Sequence, residues 1–329
     1  MQLWPFVFLL CMVGALKGQK QYSMIIDLSD DGPTVAYECV TKVEGRHSRT
    51  QQTLSRDSFV LWMVAELQQR PETKRDVLCY IHGMWGSQKS NFRRAYHLLS
   101  AHYLDAEASD IGFMLAIKWP GNDMDYQANK QRVYKLSGFL AEEMTAVLRR
   151  MQLYGWLILK QQITMDLMAH SLGNELIKEM MLDLDDEQLA YPFFDQALWL
   201  AADLDHTIFE DTGFSSRLPA YANRHHFYYS ERDLTLEISN KLNRLDRLGR
   251  IGPAEDIIIP RGVYFVDVSH VRDEKFLPDL LTGHSYYRSS GSVAGDILNV
   301  LKGGESVEFP GRVVHPRKAH VYIYDPSLN

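Results

Sequence analysis

The sequence predicts an α/β fold, a mainly parallel sheet with helices on both faces. Three observations predict it. Short apolar runs alternate along the chain with stretches of helical periodicity. One run, 163–168, leads into Ala169-His170-Ser171-Leu172-Gly173 and then directly into a helix. Another, Val77-Leu78-Cys79-Tyr80-Ile81, ends in His82-Gly83. Strands buried on both faces read as continuous apolar segments, and strand–helix alternation gives right-handed crossovers between parallel strands.

The elements follow in order. Residues 22–28 and 34–40 read as two strands joined across Asp30-Asp31-Gly32, and 58–68 as a helix closed by Pro71. The strand ending in His82-Gly83 comes next, then a helix over 91–103 and a strand over 112–119 stopped by Pro120-Gly121. A long helix over 126–151 leads back to the strand before Ser171. Behind the serine, Leu172, Leu176, Ile177, Met180, Met181 and Leu184 recur at helical spacing. Strands over 197–202, 227–229 and 263–268 follow, and a helix over 293–301. Val313-Val314 and Val321-Tyr322-Ile323-Tyr324 read as an edge hairpin in the tail. The chain is thus expected to be one domain over 19–329, with strands and a helix over 22–70 and a C-terminal extension over 303–329.

Composition bounds the function. The 329 residues are 46% hydrophobic and 23% charged, enough apolar material for a large core. A net charge of −7 argues against nucleic acid or an anionic membrane surface as the main partner. Residues 3–16 are mostly apolar and are followed by Lys17-Gly18-Gln19-Lys20. The run is too short to span a bilayer and fits a signal-peptide core, with cleavage after Ala15 or Gly18, although no Lys or Arg precedes it. Residues 1–18 are therefore expected to be a signal peptide and the mature chain to carry no transmembrane helix. The reading is export, periplasmic or secreted, with a cytoplasmic location as the alternative. Cys39 and Cys79 remain, and Cys79 sits in a predicted core strand, so no structural disulfide is implied.

Strand, tight turn with serine, then helix is the context that gives a nucleophile elbow its meaning, and it points to an α/β-hydrolase fold. Small residues two positions either side of the serine relieve crowding. Gly173 supplies one, and Ala169 stands where glycine is usual. A strand ending in His-Gly upstream of the elbow is where such a fold builds half of its oxyanion hole. The backbone N–H groups of Met84 and Leu172 are the expected donors, each worth roughly 3 kcal/mol of barrier.

The partners of Ser171 should lie beyond later strands. Asp233, after the 227–229 strand, is the favoured acid, although it also stands where a helix N-cap belongs. Asp203 and Asp205, after the 197–202 strand, are the alternatives. For the base, His284 in Thr282-Gly283-His284-Ser285 is favoured over His270. Trp119, Phe209, Phe214, Tyr286 and Tyr287 are candidates for an aromatic ring around the site. His225 and His226 are adjacent on a strand and point to opposite faces, so they cannot chelate one metal. No His-Glu-x-x-His or paired Cys-x-x-Cys is present. Gly249-Arg250-Ile251-Gly252 follows a helix and does not read as a phosphate loop.

Ile81-His82-Gly83, Trp119-Pro120, His170-Ser171-Leu172-Gly173-Asn174, Tyr229-Ser230 with Asp233, Arg247-Leu248-Gly249 and His284-Ser285-Tyr286 stand in that order. This series resembles a bacterial α/β-hydrolase family of unknown function over about 75–301. The resemblance implies an α/β-hydrolase fold, a triad of Ser171, Asp233 and His284, and no metal or organic cofactor. It departs from the family at Ala169 and at Gly121, where a serine often follows Trp-Pro.

The function expected is acyl transfer from a small-molecule carboxylic ester to water. Too few residues separate the 197–202 and 227–229 strands for an inserted cap domain, so an open site is expected. The alternative is a catalytically inert module of the same fold that captures an acyl or peptide ligand. Sequence leaves the oligomeric state open.

Overall fold

The structure, a computed structural model, describes residues 19–42, 49–303, 309–316, 318 and 320–328. The expected signal peptide lies outside the described residues. Strands β1 (Gln19–Ser29) and β2 (Gly32–Lys42) pair antiparallel, and β3 (Arg49–Leu54) adds to β2. Helix α1 (Arg56–Gln68) starts where the Ser55 hydroxyl accepts from the Ser58 N–H. Then come β4 (Asp76–Ile81), α2 (Lys89–Leu99), β5 (Ile111–Lys118), α3 (Tyr126–Tyr154), β6 (Met165–His170) and α4 (Leu172–Asp183). The second half holds β7 (Phe194–Leu200), α5 (Thr212–Tyr221), β8 (Ala222–Tyr229), α6 (Leu234–Asn243), α7 (Leu248–Ile251) and β9 (Val263–Asp267). It ends in α8 (Leu277–Thr282), α9 (Tyr286–Ser289), α10 (Gly291–Leu301), β10 (Arg312–Val314) and β11 (Val321–Tyr324).

All of these strands form one 11-stranded sheet in the order β10-β11-β9-β8-β7-β6-β4-β5-β1-β2-β3. From β11 to β1 every neighbouring pair is parallel, and antiparallel strands stand only at the two margins. The chain runs from β4 outward to β5, then crosses back to place β6 on the other side of β4. Strand order therefore reverses between β4 and β6, and a crevice opens beyond their carboxyl ends. Ser171 and the His82-Gly83 loop flank that crevice.

Alternation along the central strands builds two cores. Val77, Cys79 and Ile81 of β4 enter one face with Leu167 and Ala169 of β6, α1, α3 and α4. Leu78 and Tyr80 enter the other with Met168, α2 and α10. Both faces are covered, which is why 77–81 of β4 reads as an unbroken apolar run; β6 carries Asp166 and His170 buried within it. Cys39 and Cys79 are free and buried.

Three of the differences from expectation, two boundaries and one additional strand, have physical reasons. The 197–202 strand ends at Leu200, because Ala201 takes φ 44° and turns the chain out of the sheet. The 91–103 helix is α only to Leu99 and continues as a wider π turn, Ser100–Leu104. β3 was not expected, since Arg49-Thr50-Gln51-Gln52-Thr53 lacks the apolar signal that a margin strand does not need. The expected tail hairpin is present as β10 and β11, with β11 parallel to β9. Arg312 of β10 anchors it. Its Nε and Nη2 donate to both carboxylate oxygens of buried Asp296 on α10 at 2.8 and 2.7 Å, and Tyr228 Oη donates to the same carboxylate at 2.6 Å. This bidentate, fully desolvated pair ties the extension to the core.

Candidate active site

Ser171 occupies the turn between β6 and α4 with φ 55° and ψ −128°, a conformation that L side chains rarely adopt. Such a residue costs about 1–3 kcal/mol and persists only where its surroundings impose it. They do so here. The Ser171 N–H donates to Leu200 O at 3.0 Å, and the Ser171 carbonyl accepts from the N–H groups of Asn174 and Asp203 at 3.0 and 3.3 Å. Buried Asn174 adds its Nδ2, which reaches both Ser171 O and Leu200 O at 3.0 and 3.1 Å. A side chain at position 173 would place Cβ 2.5 Å from the His82 carbonyl, so glycine is required there. Ala169 points into the core, where its methyl is accommodated.

The loop after β4 is clamped rather than free. His82 Nδ1 donates to the Gly83 carbonyl at 2.7 Å, its Nε2 accepts from the Trp119 N–H at 3.2 Å, and Trp119 Nε1 donates back to His82 O at 2.8 Å. The two rings stack at 5.8 Å. Burial holds the His82 imidazole down at about 4, so it stays neutral with the proton on Nδ1. Trp85, with φ 59°, turns the loop back, and its N–H donates to Gly121 O at 2.6 Å. The Met84 and Leu172 N–H groups between these fixed points have no acceptor among the described residues. Trp119 was expected at the rim. It lies buried beneath the loop instead, as the plate on which His82 rests.

The structure brings Asp233 and His284 together and sets the other candidates apart. Asp233 follows β8 and is fully buried. Its Oδ2 lies 2.6 Å from His284 Nδ1, while Oδ1 accepts from the Leu236 N–H at 2.8 Å at the start of α6. The capping role and the histidine contact are thus carried by different oxygens of one carboxylate. Asp203 is engaged elsewhere: Ser239 Oγ donates at 2.5 Å, Tyr126 Oη at 3.0 Å, and Arg247 Nε stands at 3.5 Å. Burial pushes its carboxyl up. Asp205 accepts from the N–H and hydroxyl of Thr207, closing its own turn. His270 is exposed beyond β9.

Residues 55–301 match a protein family described as alpha/beta hydrolase of unknown function (DUF900). The chain belongs to that family. Comparison with curated proteins returns no match. Among solved structures, a metagenomic carboxyl esterase is similar at 15% identity and TM-score 0.32, with 90% of each chain covered. The phospholipase PlaB from Legionella pneumophila is similar at 12% identity and TM-score 0.29. That likeness covers 64% of this chain, which spans 42% of the length of PlaB.

This alpha/beta hydrolase carries a cavity of about 590 Å³ in which Ser171, Leu172, Gly83, Met84 and His284 all take part. A second cavity of similar volume, beside β11 and the 253–259 loop, holds none of them. The expected aromatic ring is not formed. Phe209 and Phe214 pack edge to face in the core, Phe209 against Phe227 and Phe265 as well. Tyr286 bridges Tyr228 O and the Ala201 N–H from within.

One positioning residue escaped the sequence reading. His170 Nε2 donates to the His284 carbonyl at 3.1 Å, and its ring lies between those of His284 and Tyr287, 4.6 and 4.7 Å away. Burial, helped by His284 and Arg288, pushes its pKa well down and keeps it neutral. Its place beside the serine was the available signal, since a polar residue in an all-buried strand needs a partner.

Gly83 gives a direct test of loop placement. A Cβ there would stand 2.7 Å from Ser171 Cβ, so Gly83→Ala must push the loop and the serine apart. Turnover of an activated ester is expected to fall roughly 10²-fold while the fold persists, because a shift on the order of 1 Å is enough. Steady-state kinetics with near-UV circular dichroism checks this, and unchanged kinetics would show that the loop plays no part in turnover.

Proposed function

We propose that this alpha/beta hydrolase is a serine hydrolase that transfers the acyl group of a carboxylic ester to water. The observation that carries the reading is the 2.6 Å contact between His284 Nδ1 and buried Asp233 Oδ2, with His284 and the strained Ser171 both lining one cavity. A proton held on Nδ1 by the carboxylate leaves Nε2 as the basic nitrogen. His284 then accepts the Ser171 proton as Oγ attacks the carbonyl carbon, and Asp233 stabilises the imidazolium. The Met84 and Leu172 N–H groups receive the oxyanion. Collapse breaks the bond to the alkoxide, which takes the proton from His284. Water repeats the sequence on the acyl-enzyme, giving free acid and restored serine.

An ester is favoured over an amide because an alkoxide demands less of the acid than an amine does. The flank formed by Met84, Met124, Leu236, Ile238 and Leu242 offers apolar contact to an acyl or alkyl chain. Between β7 and β8 the chain adds only a loop with one 3-10 turn, Ile208–Glu210, and α5, with no inserted cap domain. Labelling with a fluorophosphonate probe tests the proposal. Stoichiometric labelling of the wild type, abolished in Ser171→Ala, is expected. Absence of labelling in folded protein would replace the enzyme by an inert ligand-binding module.

A further inference from the structure

Part of the cavity lining is cationic. It is made by Arg94 of α2, Phe276 and Asp279 at α8, and Arg288 of α9. Two guanidinium groups stand there beside one carboxylate, and only Arg288 pairs with it, at long range. Arg288 Nη2 lies 3.7 Å from Asp279 Oδ1 and donates to Ser285 Oγ at 3.0 Å. Arg94 stacks on the Phe276 ring and makes no hydrogen bond or ion pair among the described residues. The Nε atoms of both arginines are buried without an acceptor, and Asp279 Oδ2 is buried without a donor. The other carboxylate of the lining, Asp203, has Arg247 Nε at 3.5 Å and accepts from Ser239 and Tyr126. A surplus of positive charge, with donors left unused, therefore sits on one wall beside Ser171 and His284.

Arg94 is left without an acceptor among the described residues, and guanidinium forks match the paired oxygens of a carboxylate or phosphate. Stacking on Phe276 also fixes the Arg94 plane in advance of binding. Building on the serine-hydrolase reading of the same cavity, we propose that Arg94 and Arg288 form an anion subsite, and that the substrate is an ester bearing a carboxylate or phosphate group near its scissile bond. The apolar flank takes the remainder of the molecule. Selectivity for charged over neutral esters then resides in residues of α2, α8 and α9.

Two 4-nitrophenyl esters of equal acyl length, the neutral butyrate and the anionic hemisuccinate, test this. Arg94→Met is expected to lower the hemisuccinate-to-butyrate ratio of kcat/KM by about tenfold or more, as loss of a charge-assisted contact implies. Arg94→Lys should recover part of that ratio. A second arm needs no turnover: calorimetry of succinate and of inorganic phosphate binding to Ser171→Ala, with and without Arg94→Met. The anion that binds in an Arg94-dependent way identifies the group recognised. Arg94-dependent binding without any ester hydrolysis keeps the subsite and removes the hydrolase reading. Hydrolysis of both esters at a ratio indifferent to Arg94 overturns the subsite and leaves the hydrolase reading standing, and no binding of either anion overturns the subsite by itself.

Discussion

Ser171→Ala is expected to lower turnover of an activated ester by about 10⁶-fold, the order of loss that follows removal of the serine in a serine protease. The size of the effect comes from the chemistry. Without Oγ no acyl-enzyme forms, and what remains is the oxyanion hole and binding acting on water. The conformation of Ser171 adds a second readout. At φ 55° and ψ −128° a Cβ is strained, so Ser171→Gly is expected to gain about 1 kcal/mol of stability while losing the same activity. Alanine keeps the Cβ and gains nothing from this source. Inactivity combined with greater stability in the glycine variant is the signature of a residue held under strain for its function. A rate in Ser171→Ala within a hundredfold of wild type would remove Ser171 as nucleophile.

The parts of this site that could be read from sequence are those set by local chain geometry. The run before Ser171 is mostly apolar because β6 is covered on both faces, and Gly173 is glycine because a Cβ there would meet the His82 carbonyl. Both facts are written in consecutive residues. The juxtaposition of Asp233 and His284 was legible in so far as Asp233 follows β8 and His284 stands in a glycine-flanked loop. The cationic wall was not reachable. Arg94 lies on a helix whose other face is buried, and Arg288 follows a glycine-flanked loop; only the packing of α2 against α9 sets them on one cavity. The aromatic expectation failed for a related reason. Position after a strand gives the end of the sheet at which a residue stands, but not whether it turns to the opening or back into the core, as Phe209 and Phe214 do. Trp119 turned inward because its indole N–H found the His82 carbonyl.

The choice of acid gives the second large effect. Asp233→Asn is expected to lower turnover by up to about 10⁴-fold, the precedent for this exchange in a serine protease. The substitution separates the two roles of the residue. Asparagine caps helices as well as aspartate does, so Oδ1 can still accept from the Leu236 N–H and α6 keeps its start. The amide NH₂ now faces His284 Nδ1, which must become the acceptor, and the imidazole proton moves to Nε2. There it blocks the nitrogen that has to receive the Ser171 proton. Asp233→Ala adds loss of the cap, about 1 kcal/mol of stability. Asp203→Asn should show the reverse pattern. It leaves Arg247 buried opposite a neutral group and is expected to cost about 3 kcal/mol of stability. Its effect on turnover of the folded fraction is expected to stay below about tenfold, since Tyr126 and Ser239, and not the imidazole, are its partners. Asp205→Asn, confined to its own turn with Thr207, should change neither quantity appreciably. Turnover and thermal stability measured together on these variants decide the assignment. A fast Asp233→Asn beside a slow, stable Asp203→Asn would move the acid to the neighbouring strand.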